Sequence, residues 1–247
     1  MQKTEQKQTA KTLLKKAHSG VATQSNELVE ASYKMSIVAK RCMLMMLGKI
    51  HPLQSTTERI RLDASDYAAR TGISKKRSYT DLKAGVTELM GTIITLKKTK
   101  STIKSVVAVG MEYFDDEGYL EVGFSGFIEP LITNLTKNQY YTTISINEAI
   151  RFRSFYTIRL FELLMQYKNS SKLKIITVED LRNTFQIAPD KHTRFTDFRR
   201  YVLVPSVAEI QKKTDWIVMW EPIKKGRTIT GIKLSFELNE QTSFEDF

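Results

Sequence analysis

Arginines and lysines supply the chemistry this chain most openly offers. Arg194, Arg199 and Arg200 lie in or beside the run "TDFRRYVLVPSVAEIQKK", residues 196–213. A guanidinium is a planar fork of donors that can grip the O6 and N7 edge of guanine in a major groove, or clamp a phosphate. Asp197 is close enough in sequence to assist. Downstream, "EPIKKGRTITG" gathers Lys224, Lys225 and Arg227 around Gly226, a composition that suits a hairpin tip laid on a phosphate backbone. Lys75, Lys76, Arg77 and Lys83 in "SKKRSYTDLKAGVTELMG" form another basic group. Lys97, Lys98, Lys100 and Lys104 in "LKKTKSTIKS" form one more. Each group also fits a plainer role, as a solvated helix start with a salt bridge or a turn kept soluble by charge.

Residues for catalysis are poorly assembled. No G-x-x-x-x-G-K-[ST] phosphate loop occurs, so no ATPase engine is visible. His18, His51 and His192 are scattered, with no pair at metal-ligand spacing. Cys42, the single cysteine, excludes an intrachain disulfide and reads as a small buried hydrophobe. Asp115, Asp116 and Glu117 could attract a cation, but in "FDDEGY" they fit a solvated turn between strands. Tyr140 and Tyr141 are nucleophiles only in principle, since nothing nearby marks a base or metal to activate them. The expectation is a protein that is not an enzyme, with no catalytic residue, no metal and no cofactor.

The net charge of +11 points the same way as the clusters. A polyanion is the implied partner: DNA, RNA or an acidic membrane surface. The 247 residues suffice for two compact domains and are compatible with one. The basic, polar start lacks the apolar core of a signal peptide, and no stretch is long and apolar enough to span a membrane. A cytoplasmic location is the default expectation.

Hydrophobic periodicity supplies the elements that would position the clusters. Residues 1–24 read as a mobile basic arm, or a short helix formed on contact. Ile37, Lys40, Arg41, Leu44 and Leu47 predict a helix whose methionine-rich face is core, ending near Gly48 and Pro52. Ile60 and Leu62 alternate as in a short strand. Asp63 or Ser65 can cap the next helix, which Gly72 stops. Leu82, Val86 and Leu89 give the following helix its buried stripe, and the intervening "TGIS" completes a helix-turn-helix pattern. "TIITLKK" and "SVVAVGMEYF" predict strands, with "DDEG" as a turn, followed by "YLEVGFSGFIEPLITN" as a strand and a short helical piece. In the second half, Phe155, Ile158, Leu160, Phe161, Leu164 and Tyr167 predict a long amphipathic helix closed by "KNSSK". A strand through Ile175 and Ile176, a short helix through Leu181 and Phe185, and then residues 196–213 come next. In that last helix Phe198, Val202, Pro205 or Val207, and Ile210 face the core, and Pro205 predicts a kink or restart. Two strands end the pattern.

The halves repeat. "IRLDASDYAARTGIS" aligns with "KIITVEDLRNTFQIA", "KKRSYTDLKAGVTELMG" with "RFTDFRRYVLVPSVAEIQK", and "TIITLKK" with "DWIVMWEP". Each half reads as a long helix, a strand, a helix-turn-helix and a hairpin, which makes Lys97 and Lys98 candidates for the first wing. The predicted fold class is α+β: two tandem winged-helix domains, at 25–145 and 146–240, with an arm at 1–24 and a tail at 241–247.

The blocks "NELVEASYKMSIVAKRCMLMML", "SFYTIRLFELLMQY", "ITVEDLRNTF", "FTDFRRYVLVPSVAEIQKKTD" and "KKGRTITGIKLSF" resemble the iteron-binding plasmid replication initiators, the family that includes the F-plasmid initiator. The resemblance spans roughly residues 25–238. It implies two winged-helix domains related by a pseudo-twofold axis. It also implies monomers bound to directly repeated origin sequences (iterons) in double-stranded DNA, with dimers repressing their own gene through an inverted repeat. The C-terminal domain would be the principal reader. Arg199 and Arg200 would fall on its recognition helix, with Arg194 beside them, and Lys224, Lys225 and Arg227 on its wing. Lys75, Lys76 and Arg77 would fall at the DNA-facing helix of the first domain. Host initiator and helicase proteins are the implied protein partners, and no catalysis is implied. The rival readings are a dimeric transcriptional repressor without initiator activity and a DNA-nicking enzyme.

Overall fold

The structure is a computed structural model and describes residues 20–53, 59–135, 140–169 and 173–239. The expected arm up to residue 19 and the tail at 241–247 lie outside the described residues. Two compact units divide between Arg151 and Phe152, not between residues 145 and 146.

The first unit runs β1 (Val21–Ser25), α1 (Asn26–Glu30), α2 (Ile37–Lys49), β2 (Ile60–Asp63), α3 (Ala64–Thr71), α4 (Lys75–Gly91), β3 (Ile93–Lys97), β4 (Thr102–Val106), β5 (Ala108–Phe114), β6 (Tyr119–Phe124), a 3₁₀ turn at Glu129–Leu131, β7 (Tyr141–Ser145) and α5 (Ile146–Ala149). Its strands form three small sheets, ordered β1-β7, β3-β4 and β2-β6-β5. The second unit runs α6 (Phe155–Met165), β8 (Leu173–Thr177), α7 (Val178–Thr184), α8 (Phe195–Phe198), a π-helical turn (Arg199–Leu203), α9 (Val204–Lys213), β9 (Trp216–Lys225) and β10 (Thr228–Leu238). Its one described sheet is ordered β8-β10-β9.

The expected arm therefore ends earlier than residue 24. Val21 to Ser25 pair antiparallel with β7, from Val21 opposite Ser145 to Ser25 opposite Tyr141. Ala22, Thr23, Gln24 and Ser25 are buried there. A strand whose partner lies far along the chain has no local signature, which is why this stretch reads as an arm. The same pairing moves the domain boundary. The Ile146 N–H donates to the Gly20 carbonyl at 2.8 Å, so α5 closes the first unit instead of opening the second.

In α2 the methionine-rich face is core: Met43, Met45 and Met46 are buried with Cys42, Leu44 and Leu47. Lys40 is buried too, its ammonium donating to the Tyr33 hydroxyl at 2.7 Å and standing 5.1 Å from that ring's centre. Cys42 is inert by environment. Burial first, then the nearby carboxylates of Asp81 and Glu88, push its thiol far above the ordinary range. Helix α4 lies so close to α2 that a Cβ on Gly85 would stand 2.6 Å from Cys42 Sγ and 3.2 Å from the Val38 carbonyl. Glycine permits that approach. At the start of α3, Asp63 occupies the N-cap position without a side-chain capping bond, while Gly72 ends the helix in the left-handed region.

Helix α6 differs from its expected amphipathic form. It is buried on every side except at Tyr156, and it packs against α9. Burial extends to Arg159 and Glu162, whose ion pair at 2.7 Å is closed to solvent. The polar letters that suggested a wet face are thus an internal charge pair. "SVVAVGMEYF" also departs from one strand, splitting into β4 and β5 at Val107.

The largest correction concerns the repeat. Strand β2 pairs with β6, and β6 with β5, as β8 pairs with β10, and β10 with β9. The hairpin that occupies the wing position in the first unit is therefore β5–β6. The β3–β4 hairpin is an insertion with its own register, and "TIITLKK" is not the counterpart of "DWIVMWEP". Hydrophobic alternation makes β3 and β5 equally good strands, and only the hydrogen-bonding partners separate them.

Candidate nucleic-acid interface

The C-terminal unit brings its expected arginines to one helix start. Arg194 is the N-cap residue of α8, without a side-chain capping bond, and is exposed. Arg199 and Arg200 are exposed on the π turn that follows. This turn answers the Pro205 problem. Val204 N–H bonds the Arg199 carbonyl, a five-residue step, and Pro205, which has no N–H to offer, falls in the first turn of the renewed α9. The restart settles the sequence's open alternative: Val207 faces the core with Phe198, Val202 and Ile210, while Pro205 is exposed.

Aromatic rings flank the arginines. The Arg199 guanidinium lies 6.0 Å from the Trp220 ring centre, on β9, and Phe195 stands 6.5 Å from the same ring. Arg200 lies 5.3 Å from the ring of Tyr201, which in turn stacks on His192 at 5.1 Å. Such contacts hold a cation without neutralising it. The loop leading into α8 is tied by Arg182 of α7, which donates to the carbonyls of Ala188 at 3.2 Å, Lys191 at 2.8 Å and His192 at 2.6 Å. His192 adopts φ +50° within that loop. Sequence reasoning missed Arg182, Tyr201 and Trp220. Only the mixed polar–aromatic character of their segments could have flagged them.

The wing tip is as basic as expected. Thr228 pairs with Lys225, leaving Gly226 and Arg227 as a two-residue loop. Gly226 has φ +62° and Arg227 has no positive φ, the pattern of a type II′ hairpin. Lys224, Lys225 and Arg227 are all exposed. Among the described residues none of them, nor Arg194, Arg199 or Arg200, is in an ion pair with a carboxylate.

In the N-terminal unit, Lys75, Lys76 and Arg77 are exposed in the first turn of α4, behind the Ser74 cap. That turn contains no acidic residue, so three cations sit on the positive end of the helix dipole. Arg77 is 4.0 Å from Asp81. Lys83 is not displayed with them: it pairs with Asp115 at 2.5 Å. Lys97 and Lys98 lie on the inserted β3–β4 hairpin, and Lys98 stands 3.6 Å from Glu27. Of the predicted N-terminal residues, Lys75, Lys76, Arg77 and Lys83 thus share α4, while Lys97 and Lys98 lie on a different hairpin from the one in the wing position.

Among the described residues no group of three or more His, Cys, Asp or Glu side chains could hold a metal ion. Burial raises the Tyr141 phenol above its ordinary range, the opposite of an activated nucleophile. His51 accepts the Leu53 N–H at 3.2 Å, and His18 lies outside the described residues. Among the described residues no helix is long and apolar enough to cross a membrane.

Helix, strand, helix-turn-helix and wing, met twice with the same sheet order, agree with comparison to known families. The profile for the first winged-helix domain (WH1) of initiator replication proteins matches residues 21–165, and that for the second (WH2) matches residues 177–236. The chain belongs to the initiator replication protein family. It is 29% identical over 250 residues to the PI protein of Escherichia coli, covering 87% of this chain and 82% of that one. An uncharacterized 27.6 kDa protein of Escherichia coli is 26% identical over 223 residues, covering 85% and 92%. Among solved structures, that of the Pi initiator protein in complex with iteron DNA superposes with a TM-score of 0.78 at 26% identity, covering 90% of this chain and 99% of that one.

Proposed function

We propose that this initiator binds directly repeated origin sequences of a plasmid as a monomer, with the C-terminal unit as principal reader. Arg199 and Arg200 contact base edges, Arg194 supports them, and Lys224, Lys225 and Arg227 hold the backbone. Lys75, Lys76 and Arg77 add phosphate contacts from the first unit. Once on the origin, the protein recruits the host initiator and helicase, and as a dimer on an inverted repeat it limits its own synthesis. The observation that carries the DNA reading is the second unit's set of six exposed cations at a recognition helix and its wing. None of the six has a carboxylate partner among the described residues. The similarity to a protein solved on iteron DNA supports the choice of repeated duplex over RNA.

The test is a titration of the full chain against a duplex with one origin repeat and against a scrambled duplex, at several salt concentrations, with stoichiometry read out. Tight selective binding of one monomer per repeat is expected. Equal, salt-sensitive affinity for both duplexes would overturn the reading. Replication of an origin plasmid in cells, with and without the gene, tests the initiation step separately.

A further inference from the structure

We propose that Asp115, at the tip of the first unit's wing, sequesters Lys83 and keeps that wing from clamping the DNA backbone. The proposal rests on the DNA-binding reading above and assigns the two wings opposite roles.

Hairpin β5–β6 holds the wing position in its sheet, as β9–β10 does in the other. Its turn carries Asp115, Asp116 and Glu117 before Gly118, where the second wing carries Lys224, Lys225 and Arg227 about Gly226. Three exposed carboxylates at a place suited to touching phosphates repel them. Asp115 does more than repel. Its Oδ1 accepts from the Tyr79 hydroxyl at 2.7 Å and from the Lys83 ammonium at 2.5 Å. Tyr79 and Lys83 are one turn apart on α4, the helix that would face DNA. The Lys83 ammonium also lies 4.6 Å from the Tyr79 ring centre and 4.4 Å from that of Tyr113, on β5. The lysine is thus boxed between two rings and a carboxylate, and the wing is pinned to the helix by the same contacts. The hydrogen bonds from Lys83 and Tyr79 lower the Asp115 carboxyl from its ordinary range, in keeping with a settled pair.

A wing that declines phosphate lowers sequence-independent affinity, which any duplex would share. Discrimination then rests on the second unit, since specificity is a difference of affinities. Asp115 is a positioning residue here, acting through Lys83.

The experiment measures salt dependence of binding to the scrambled duplex for the full chain and for Asp115→Asn, Asp116→Asn, Lys83→Gln and the Lys83→Gln/Asp115→Asn double variant. Asn at 115 keeps the side-chain shape and an acceptor for Tyr79 while removing the charge. Releasing Lys83 to a phosphate should steepen the slope of log K against log salt by about 0.9 and tighten binding at low salt. Asp116→Asn removes the same charge without releasing a lysine, and should steepen it much less. The double variant should match Lys83→Gln. A slope for Asp115→Asn no steeper than that for Asp116→Asn would overturn the proposal, and so would steepening that survives in the Lys83→Gln background. Loss of selectivity in the unmodified protein would instead strike the repeat-binding reading, while the variant slopes would still decide the role of Asp115.

Discussion

Neutralising the second wing gives the sharpest quantitative prediction. Lys224, Lys225 and Arg227 are exposed around a two-residue loop, without carboxylate partners among the described residues. Replacing all three by Gln leaves the Gly226 turn and the strand register intact, so the fold should be unaffected. If each cation neutralises one phosphate, each contributes about 0.9 to the slope of log K against log salt. The triple variant should therefore lose roughly 2.7 from the magnitude of that slope. Over a fourfold rise in salt, from about 50 to about 200 mM, the unmodified protein should weaken about 40-fold more than the variant. The loss at low salt should be equal on cognate and scrambled duplexes, because phosphate contacts carry no base information. Fluorescence anisotropy titrations at four salt concentrations, with circular dichroism as a folding control, measure both quantities. An unchanged slope would refute the placement of this wing on the backbone. Loss confined to the cognate duplex would refute its sequence-independent role.

Further outcomes concern reading and stability. Arg200→Ala should reduce discrimination between cognate and scrambled duplexes by about 1–3 kcal/mol with little change in salt slope. A preserved preference in the same titration would remove Arg200 as a base reader. Glu162→Gln removes the carboxylate charge 2.7 Å from the buried Arg159 guanidinium, and denaturant unfolding should show a loss of about 3–5 kcal/mol; a loss below 1 kcal/mol would mean that this carboxylate is not what holds the buried cation. Glu209 titrates in the other direction from a simple buried acid. Burial tends to raise its carboxyl, but the bonds from the Lys213 ammonium at 2.6 Å and the Arg153 N–H at 2.8 Å outweigh burial and lower it. Its folded value lies below its unfolded one, so the stabilisation is complete above the unfolded value and is lost as pH falls through the folded value. Glu209→Gln should therefore lower the melting temperature at neutral pH, and the gap from the unmodified protein should close in acid. A gap independent of pH would contradict the assigned bonds.

Much of the fold was legible because most elements carry their own signal. Leu82, Val86 and Leu89 repeat at helical spacing, Gly72 marks a stop, and Gly226 marks a turn. What stayed hidden depends on partners distant in sequence. Val21–Ser25 is a strand only because β7 receives it. The helix at Phe155–Met165 looks amphipathic because Arg159 and Glu162 are written as polar letters, yet they neutralise each other inside the core. Similar reasoning applies to Pro205. Its missing donor predicted an interruption, and the interruption took the form of a π turn that carries Arg199 and Arg200.

The candidate site was legible as composition and not as geometry. A net charge of +11 counts cations without saying which are already held. Lys83 and Lys225 are equal letters in basic segments, but one is paired with Asp115 and the other stands on an exposed tip. Asp115 lies in a segment that reads only as a turn, so its effect on Lys83 appears once the hairpin is docked on α4. The same step explains why Lys97 and Lys98 read as wing residues in the sequence. Charge and alternation match, but β3 pairs with β4 and bridges Ser32, whereas β5–β6 joins β2. If exposed cations alone governed binding, the two units would contribute according to their lysine and arginine counts. On the proposed reading, intramolecular pairing makes them unequal instead: the second unit offers six exposed cations at one helix and wing, while in the first Lys83 is held by Asp115 at the wing tip.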